Sequence, residues 1–62
     1  MDKYQISRDG GKTWWPIAEE SVMRAAMQMP GPETAIQSVH LSGPTGYQIG
    51  RWRYRVEVRD DG

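Results

Sequence analysis

The segment SRDGGKTW, residues 7–14, decides how the fold begins. Its centre holds the three turn-forming residues Asp9, Gly10 and Gly11. Tight turns between antiparallel strands need positive φ at their central residues, and Asp-Gly and Gly-Gly pairs adopt such angles at low steric cost. The segment therefore predicts a β-hairpin in which these residues form the structural turn between strands over residues 3–8 and 12–16.

The spacing Ser-x-Asp-x-Gly-x-Thr-Trp over residues 7–14 also resembles the Asp-box, the hairpin motif of sialidase-like β-propellers. In that family the motif shapes a surface turn, tucks its aromatic residue under the hairpin and does not itself catalyse. The resemblance covers 8 of the 62 residues and occurs once, so it implies a turn geometry and an inward Trp14 but no sialidase activity. A propeller needs several four-stranded blades, for which this chain has no room.

A helix is predicted over residues 18–29. Its apolar residues recur at i, i+4, i+7, i+8 and i+11, one face of a 3.6-residue period. These residues are Ala18, Val22, Ala25, Ala26 and Met29. Glu19 and Glu20 fall in the first turn, where carboxylates stabilise the positive end of the helix dipole. Pro30 ends the helix because proline restricts the residue before it and cannot donate to the helical ladder.

Two more strands are predicted in the second half of the chain. Residues 34–42 form the third strand, with Val39 and Leu41 on one face. Residues 51–59 alternate strictly between charged and apolar side chains, the period of a strand with one buried and one solvated face. Gly50 marks a bulge or the start of that strand. The order β-β-α-β-β predicts an α+β fold, with a small antiparallel sheet and one helix packed on one face.

Composition limits how such a chain is stabilised. Sixty-two residues make a single domain, and a domain of this length buries only about 60% of its unfolded surface. The chain has no cysteine and one histidine, which excludes disulfides, thiolate metal sites and histidine-rich clusters. No metal or cofactor is expected. Aromatic packing or association with another chain is then the expected reinforcement.

The alternation of the last predicted strand places Arg51, Arg53 and Arg55 in a line on the face away from the helix. Neighbours in this line are roughly 6.5–7 Å apart. Arginine forks bind phosphates, carboxylates and aromatic faces, so the line is a candidate partner-binding surface. The other interpretation is an ordinary solvated sheet face that discourages edge-to-edge aggregation.

Trp15 is the second candidate for partner binding. Successive strand residues point to opposite faces, so Trp15 is exposed if Trp14 lies under the hairpin, and exposed tryptophans are enriched at binding hot spots. Two structural alternatives stay open. An arginine of the last strand covers the indole through a cation–π contact, or the strand distorts at Pro16 and turns the ring into the core.

Met23 and Met27 form a second apolar stripe on the predicted helix, at i and i+4. At 100° per residue they lie roughly 100–160° from the centre of the core face. Methionine is common at adaptable partner surfaces, so the stripe is a candidate interface for a homodimer. Alternatively, a broad apolar face wraps into the small core.

The sequence assembles no recognisable catalytic group. His40 has only Ser38 and Ser42 beside it on the predicted strand, in no nucleophile context. The glycines match no phosphate-binding pattern, because no strand precedes a Gly-rich loop that opens a helix. No enzyme activity and no small-molecule substrate are therefore expected.

Two functional classes remain. The first is a small protein-interaction module, an inhibitor, adaptor or accessory subunit that docks its open sheet face or its helix on another protein or on a second copy. Free-standing chains of this size without cysteine look similar to accessory proteins of phages and mobile elements. The alternative is nucleic-acid binding through the arginine line and Trp15. Zero net charge favours the protein partner, and so does the placement of Trp52 and Tyr54 on the face opposite the arginines.

The sequence also predicts the cellular compartment of the protein. No apolar run reaches the ~18 residues of a membrane span, and the first residues lack the apolar segment of a signal peptide. A soluble, cytoplasmic protein without membrane contact is therefore expected.

Overall fold

A four-stranded antiparallel sheet and two helices make up residues 3–57, the part of the chain that the computed structural model describes. In chain order the elements are β1 (Tyr4–Ser7), β2 (Trp15–Ile17), α1 (Glu19–Ala26), α2 (Pro32–Leu41), a short 3-10 turn (Gly43–Thr45), β3 (Tyr47–Ile49) and β4 (Trp52–Val56). The predicted α+β class with an antiparallel sheet is therefore confirmed. The predicted strand residues 58 and 59 lie outside the described residues.

The sheet joins the two ends of the chain at its centre. Its strand order is β2-β1-β4-β3, so the first and last strands are neighbours. Ile6 of β1 lies opposite Trp15 of β2 on one side and opposite Tyr54 of β4 on the other. In the second hairpin, Tyr47 of β3 lies opposite Tyr54. This arrangement places apolar residues of all four strands in one row across the inner face.

The two hairpins turn in different ways. Residues 8–14 connect β1 to β2, with positive φ at Gly10 (79°) and Gly11 (101°). The predicted hairpin is confirmed, but its second strand starts at Trp15, later than predicted. Gly50 and Arg51 alone connect β3 to β4, and Gly50 has a φ of 66°. A two-residue hairpin turn with glycine at its first central position requires this angle, so Gly50 forms a turn rather than a bulge or strand start.

The prediction of a strand over residues 34–42 is wrong, because α2 occupies most of this range. The helix follows Gly31 and begins with Pro32, whose missing N–H is one that the first helical turn leaves unpaired anyway. Glu33 adds a carboxylate at the positive end of the helix dipole. The molecule therefore has two helices where one was predicted, and the sheet keeps four strands because β3 supplies the missing one.

The core lies between the two helices and the inner face of the sheet. Its buried apolar side chains are Tyr4, Ile6, Val22, Ala26, Ala35, Val39, Ile49 and Tyr54. Val22 and Ala26 lie on the predicted inner face of α1, and Tyr54 confirms the predicted parity of β4. On α2, Val39 is fully buried and Leu41 is 78% exposed. Residues two apart on a helix lie on different sides, which separates this pair.

Candidate functional site

The carboxylate of Asp9 organises the loop between β1 and β2. Its Oδ1 accepts hydrogen bonds from the Ser7 hydroxyl (2.8 Å) and from the backbone N–H groups of Lys12 (3.0 Å) and Thr13 (2.9 Å). Its Oδ2 accepts a hydrogen bond from the Thr13 hydroxyl (2.5 Å). The Ser7 hydroxyl also accepts the N–H of Gly11 (2.8 Å). Asp9 and Ser7 are therefore linked to Gly11, Lys12 and Thr13 in one network of hydrogen bonds.

The same hydrogen bonds keep Asp9 ionised. Donation from the Thr13 hydroxyl, followed by the Thr13 N–H and the Ser7 hydroxyl, holds the pKa of the Asp9 carboxyl far below its usual value. Each of these bonds stabilises the ionised form, and the slight desolvation of the exposed carboxylate opposes them. Asp9 is therefore a structural anion and not a proton donor near neutral pH.

Arg53 and Arg55 lie on the outer face of β4, as the alternation predicts, but both guanidinium groups bind the chain itself. Arg53 donates to the carbonyl oxygens of Thr45 (3.1 Å) and Gly46 (2.7 Å). Arg55 donates to the carbonyl oxygen of Pro44 (2.7 Å). The two arginines therefore attach the segment that precedes β3 to the outer face of the sheet.

Trp14 lies on the same outer face of the sheet and contacts Arg55. The guanidinium carbon of Arg55 lies 4.1 Å from the centroid of the indole, and Arg55 Nε donates to Gln5 Oε1 (2.8 Å). The indole Nε1 donates to the carbonyl oxygen of Gly11 (3.1 Å). The ring packs against Gly46 so closely that a Cβ there would lie 2.6 Å from its Cη2 atom. We call Trp14, Arg53 and Arg55 the outer layer.

The other two residues predicted to bind a partner are open to solvent. Trp15 lies in the edge strand β2, and 58% of it is exposed. The arginine contact that was considered for Trp15 is made with Trp14 instead. Arg51 is exposed in the β3–β4 turn, outside the strand that was predicted to begin with it. The predicted line of three arginines on one strand is therefore wrong.

An apolar groove lies between α1 and α2. It has a volume of about 230 Å³, and its lining residues are Met23, Ala26, Met27, Pro32, Glu33 and Ile36. Met23 is 47% exposed and Met27 is 74% exposed. The two methionines therefore stand at the rim of a cavity that the chain itself leaves open.

Sequence reasoning missed the α2 side of this groove. Pro32 and Ile36 were not candidates, because the strand prediction covered most of this segment. The signals that would have found the helix are Pro32 followed by Glu33, the pattern of a helix start. The spacing i, i+4 of Ala35 and Val39 supplies the matching core face.

His40 lies on α2 and contacts the sheet. Its Nε2 is 2.7 Å from the hydroxyl oxygen of Tyr4, and the two rings meet edge to face with centroids 5.6 Å apart. A separate open cleft of about 620 Å³ brings three carboxylates near Lys3, those of Glu19, Glu20 and Glu57. Within residues 3–57, no three His, Cys, Asp or Glu residues are grouped so that they could hold a metal ion.

Comparison with known proteins finds no relative of this chain. No protein-family model matches the chain, and no curated protein or solved structure matches it either. In the described part of the chain, neither helix has the length and apolar character needed to cross a membrane. The function is therefore inferred from the surfaces described above.

Proposed function

We propose that this chain is a small protein-binding module that docks a partner through the groove between α1 and α2. The exposure of Met23 and Met27 beside an apolar cavity carries the proposal. Burying apolar surface stabilises a complex by roughly 25 cal/mol per Å² before the costs of association. Methionine also adapts to partners of different shape. The groove is therefore a surface from which a partner would gain apolar contacts at the centre of its interface.

The groove fits a partner segment that carries an apolar anchor with a basic residue beside it. The lining is apolar except for Glu33. Met23 and Met27 are four residues apart on α1, so they lie on one side of the helix. Helix-in-groove complexes insert apolar side chains at such spacings. A lysine or arginine next to the anchor would then pair with Glu33.

A second copy of this chain fits the groove less well. A twofold-symmetric contact brings the same patch of both chains together. Such a contact centred on Met23 and Met27 would bring two Glu33 carboxylates into one interface, and the groove lining supplies no basic side chain to pair with them. Like charges at an interface oppose association. We therefore favour a different protein over the homodimer.

The alternative function, nucleic-acid binding through the last strand, has less support. Arg53 and Arg55 donate to carbonyl oxygens of the chain at 2.7–3.1 Å, and Arg55 also covers Trp14. Binding phosphates would require these contacts to break. The cytoplasmic location and the absence of a cofactor stay predictions of the sequence.

Photo-crosslinking from the groove tests this proposal. Benzoylphenylalanine replaces Met27 in one variant and Lys12 in a control, because Lys12 is exposed in the β1–β2 loop and does not line the groove. In an extract of the source cells we expect one defined crosslinked protein from position 27 and none from position 12. Excess unlabelled protein should compete with this crosslink, whereas Met27→Glu should compete about tenfold less well.

Three results would contradict the proposal. Equal crosslinking from both positions would show contact without a specific surface. Crosslinks confined to a second copy of the chain would show that the groove forms a homodimer and does not bind a different protein. Met27→Glu competing as well as the unchanged chain would show that the groove is not the contact.

A further inference from the structure

The side of α1 that faces away from α2 borders a second concavity. Two adjoining pockets of about 270 and 300 Å³ share part of their lining, namely Ala25, Gln28, Trp52 and Tyr54. Three arginines enter from different parts of the chain: Arg8 from the β1–β2 loop, Arg24 from α1 and Arg51 from the β3–β4 turn. We call this concavity the arginine cleft. It collects positive charge next to the apolar groove, with α1 between the two.

No carboxylate offsets the charge inside the arginine cleft. The described residues that line it include neither Asp nor Glu. Glu20, one helical turn before Arg24, lines a different cavity. The guanidinium carbon of Arg8 lies 5.1 Å from the centroid of the Trp52 ring, which positions this cation at the wall of the cleft. Like charges brought together in this way repel one another unless an anion lies between them.

Neutral hydrogen-bond donors line the same cleft. Ser21 and Gln28 belong to the lining, and so does the otherwise buried Tyr54. Among residues 3–57, no buried side-chain oxygen or nitrogen lacks a hydrogen-bond partner. The Tyr54 hydroxyl has no such partner there, so it reaches the solvent of the cleft. Burial raises the pKa of Tyr54, and the positive charge of Arg8 opposes this shift.

We propose that the arginine cleft binds an acidic peptide segment of a protein partner. Arginine forks form charge-assisted, often bidentate, hydrogen bonds with carboxylates. The hydroxyls of Ser21 and Tyr54 can donate to carboxylate oxygens that the arginines leave unpaired. The cleft is separate from the groove between α1 and α2, and its function does not depend on the function proposed for that groove.

The surroundings of the cleft favour a peptide over a nucleic-acid strand. Single-strand binders use a charged groove that follows the backbone over roughly 4–16 nucleotides. Here Arg8 and Arg24 line one pocket and Arg51 lines the pocket that adjoins it. The chain has zero net charge, so it lacks the long-range attraction for a phosphate backbone that a basic protein has. Arg53 and Arg55, which could extend a basic path, bind carbonyl oxygens on the other face of the sheet.

Side-chain NMR of the arginines tests this site. The ¹⁵N-labelled protein is titrated at low ionic strength with a capped hexaglutamate peptide and, separately, with a twelve-residue oligothymidine. The Nε–Hε signals of the arginines are followed in both series. We expect hexaglutamate to shift the signals of Arg8, Arg24 and Arg51 in a saturable way. The signals of Arg53 and Arg55 should stay in place, because their guanidinium groups are held by the chain.

Charge-reversal variants make the test specific. Arg24→Glu and Arg51→Glu should each raise the Kd for hexaglutamate about tenfold, the effect of losing one charge-assisted contact. Lys12→Glu is the matched control: it makes the same change of charge at an exposed position outside the cleft, and it should alter the Kd by less than about twofold. Met27→Glu should also leave this Kd unchanged, which separates a failure here from a failure of the groove proposal.

Several outcomes would overturn the inference. Equal weakening by Lys12→Glu and Arg24→Glu would show attraction without a site. Shifts spread over all arginines would lead to the same conclusion, and no shift at all would show that the cleft does not bind hexaglutamate. If oligothymidine binds more tightly than hexaglutamate and shifts the signals of the same cleft, the cleft binds nucleic acid and not an acidic peptide.

Discussion

The two faces of the sheet are covered in different ways. On the inner face, α1 and α2 bury a core of aliphatic and tyrosine side chains. On the outer face, the described residues place no α-helix, and the outer layer of Trp14, Arg53 and Arg55 covers the strands instead. The inner face is stabilised by removing apolar surface from water. The outer face is stabilised by hydrogen bonds to carbonyl oxygens and by a cation–π contact.

This difference shows how a small chain without disulfides supplements a small core. One strand, β4, serves both faces, because its side chains alternate. Tyr54 packs into the core, and Arg55 on the next position stacks on Trp14. Charged residues at alternate positions of a strand therefore need not be merely solvated. Three substitutions measure how much each face contributes, and a fourth tests the charge in the β1–β2 loop, beginning with the largest expected effect.

Ile6→Ala removes a side chain from the centre of the inner face. Ile6 is buried and lies between β2 and β4, so we expect the free energy of unfolding to fall by about 2–5 kcal/mol. Urea unfolding followed by circular dichroism measures this change. A loss below about 1 kcal/mol would mean that the inner core is not the main source of stability, and the comparison of the two faces would be reversed.

Trp14→Ala removes the centre of the outer layer. The ring is partly buried, so we expect a loss of about 2–3 kcal/mol, less than the 3–5 kcal/mol of a fully buried aromatic. Trp15→Ala is the control, since its ring is 58% exposed, and it should cost less than about 1 kcal/mol. The same unfolding measurement applies to both variants. A larger loss for Trp15 than for Trp14 would show that the outer layer is not built around Trp14.

Arg55→Met keeps the aliphatic part of the side chain and removes its charge and donors. The guanidinium is partly exposed, so its bonds to Gln5 and Pro44 should contribute about 1 kcal/mol rather than the value of a buried charged pair. Arg51→Met, in the exposed turn, should change stability by less than about 0.5 kcal/mol. If thermal unfolding gives the same result for both variants, Arg55 is only a solvated side chain.

The smallest expected effect is the contribution of the Asp9 carboxylate to stability at low pH. Because the pKa of Asp9 is lowered in the folded chain, its ionised form stabilises the fold at every pH above the unfolded value of about 3.9. This contribution is lost progressively as the pH falls below that value toward the lower folded pKa. We expect the urea midpoint of the unchanged chain to decline more between pH 5 and pH 2 than that of Asp9→Asn. Parallel curves for the two proteins would show that the loop does not depend on this charge.

The parts of the fold that could be predicted depend on local signals. The Asp-Gly-Gly turn, the helical period of α1 and the alternation of β4 each lie within one short segment. The segment that forms α2 gave conflicting signals, because Val39 and Leu41 suit a strand face while Pro32 and Glu33 start a helix. Packing against α1 and the sheet decides between them, and a single segment does not contain that information.

The candidate site likewise has a part that could be predicted from the sequence and a part that could not. The exposed position of Met23 and Met27 follows from helical spacing alone. The partners of Arg53 and Arg55 could not be predicted, because the carbonyl oxygens that they bind belong to the segment before β3, which only the folded chain brings near. The arginine cleft likewise joins side chains from three distant positions. Clusters of this kind appear only after the strand order is known.

Pro16 has a consequence for self-association. In a three-residue edge strand the two outer residues bond to β1, and the backbone groups of the middle residue point away from the sheet. That middle residue is Pro16, opposite Gln5, and it offers a carbonyl oxygen but no N–H. A strand from another molecule would find no N–H donor at the centre of this edge. The proline therefore opposes growth of the sheet into fibrils on the β2 side, and the other edge, β3, has no proline in its strand.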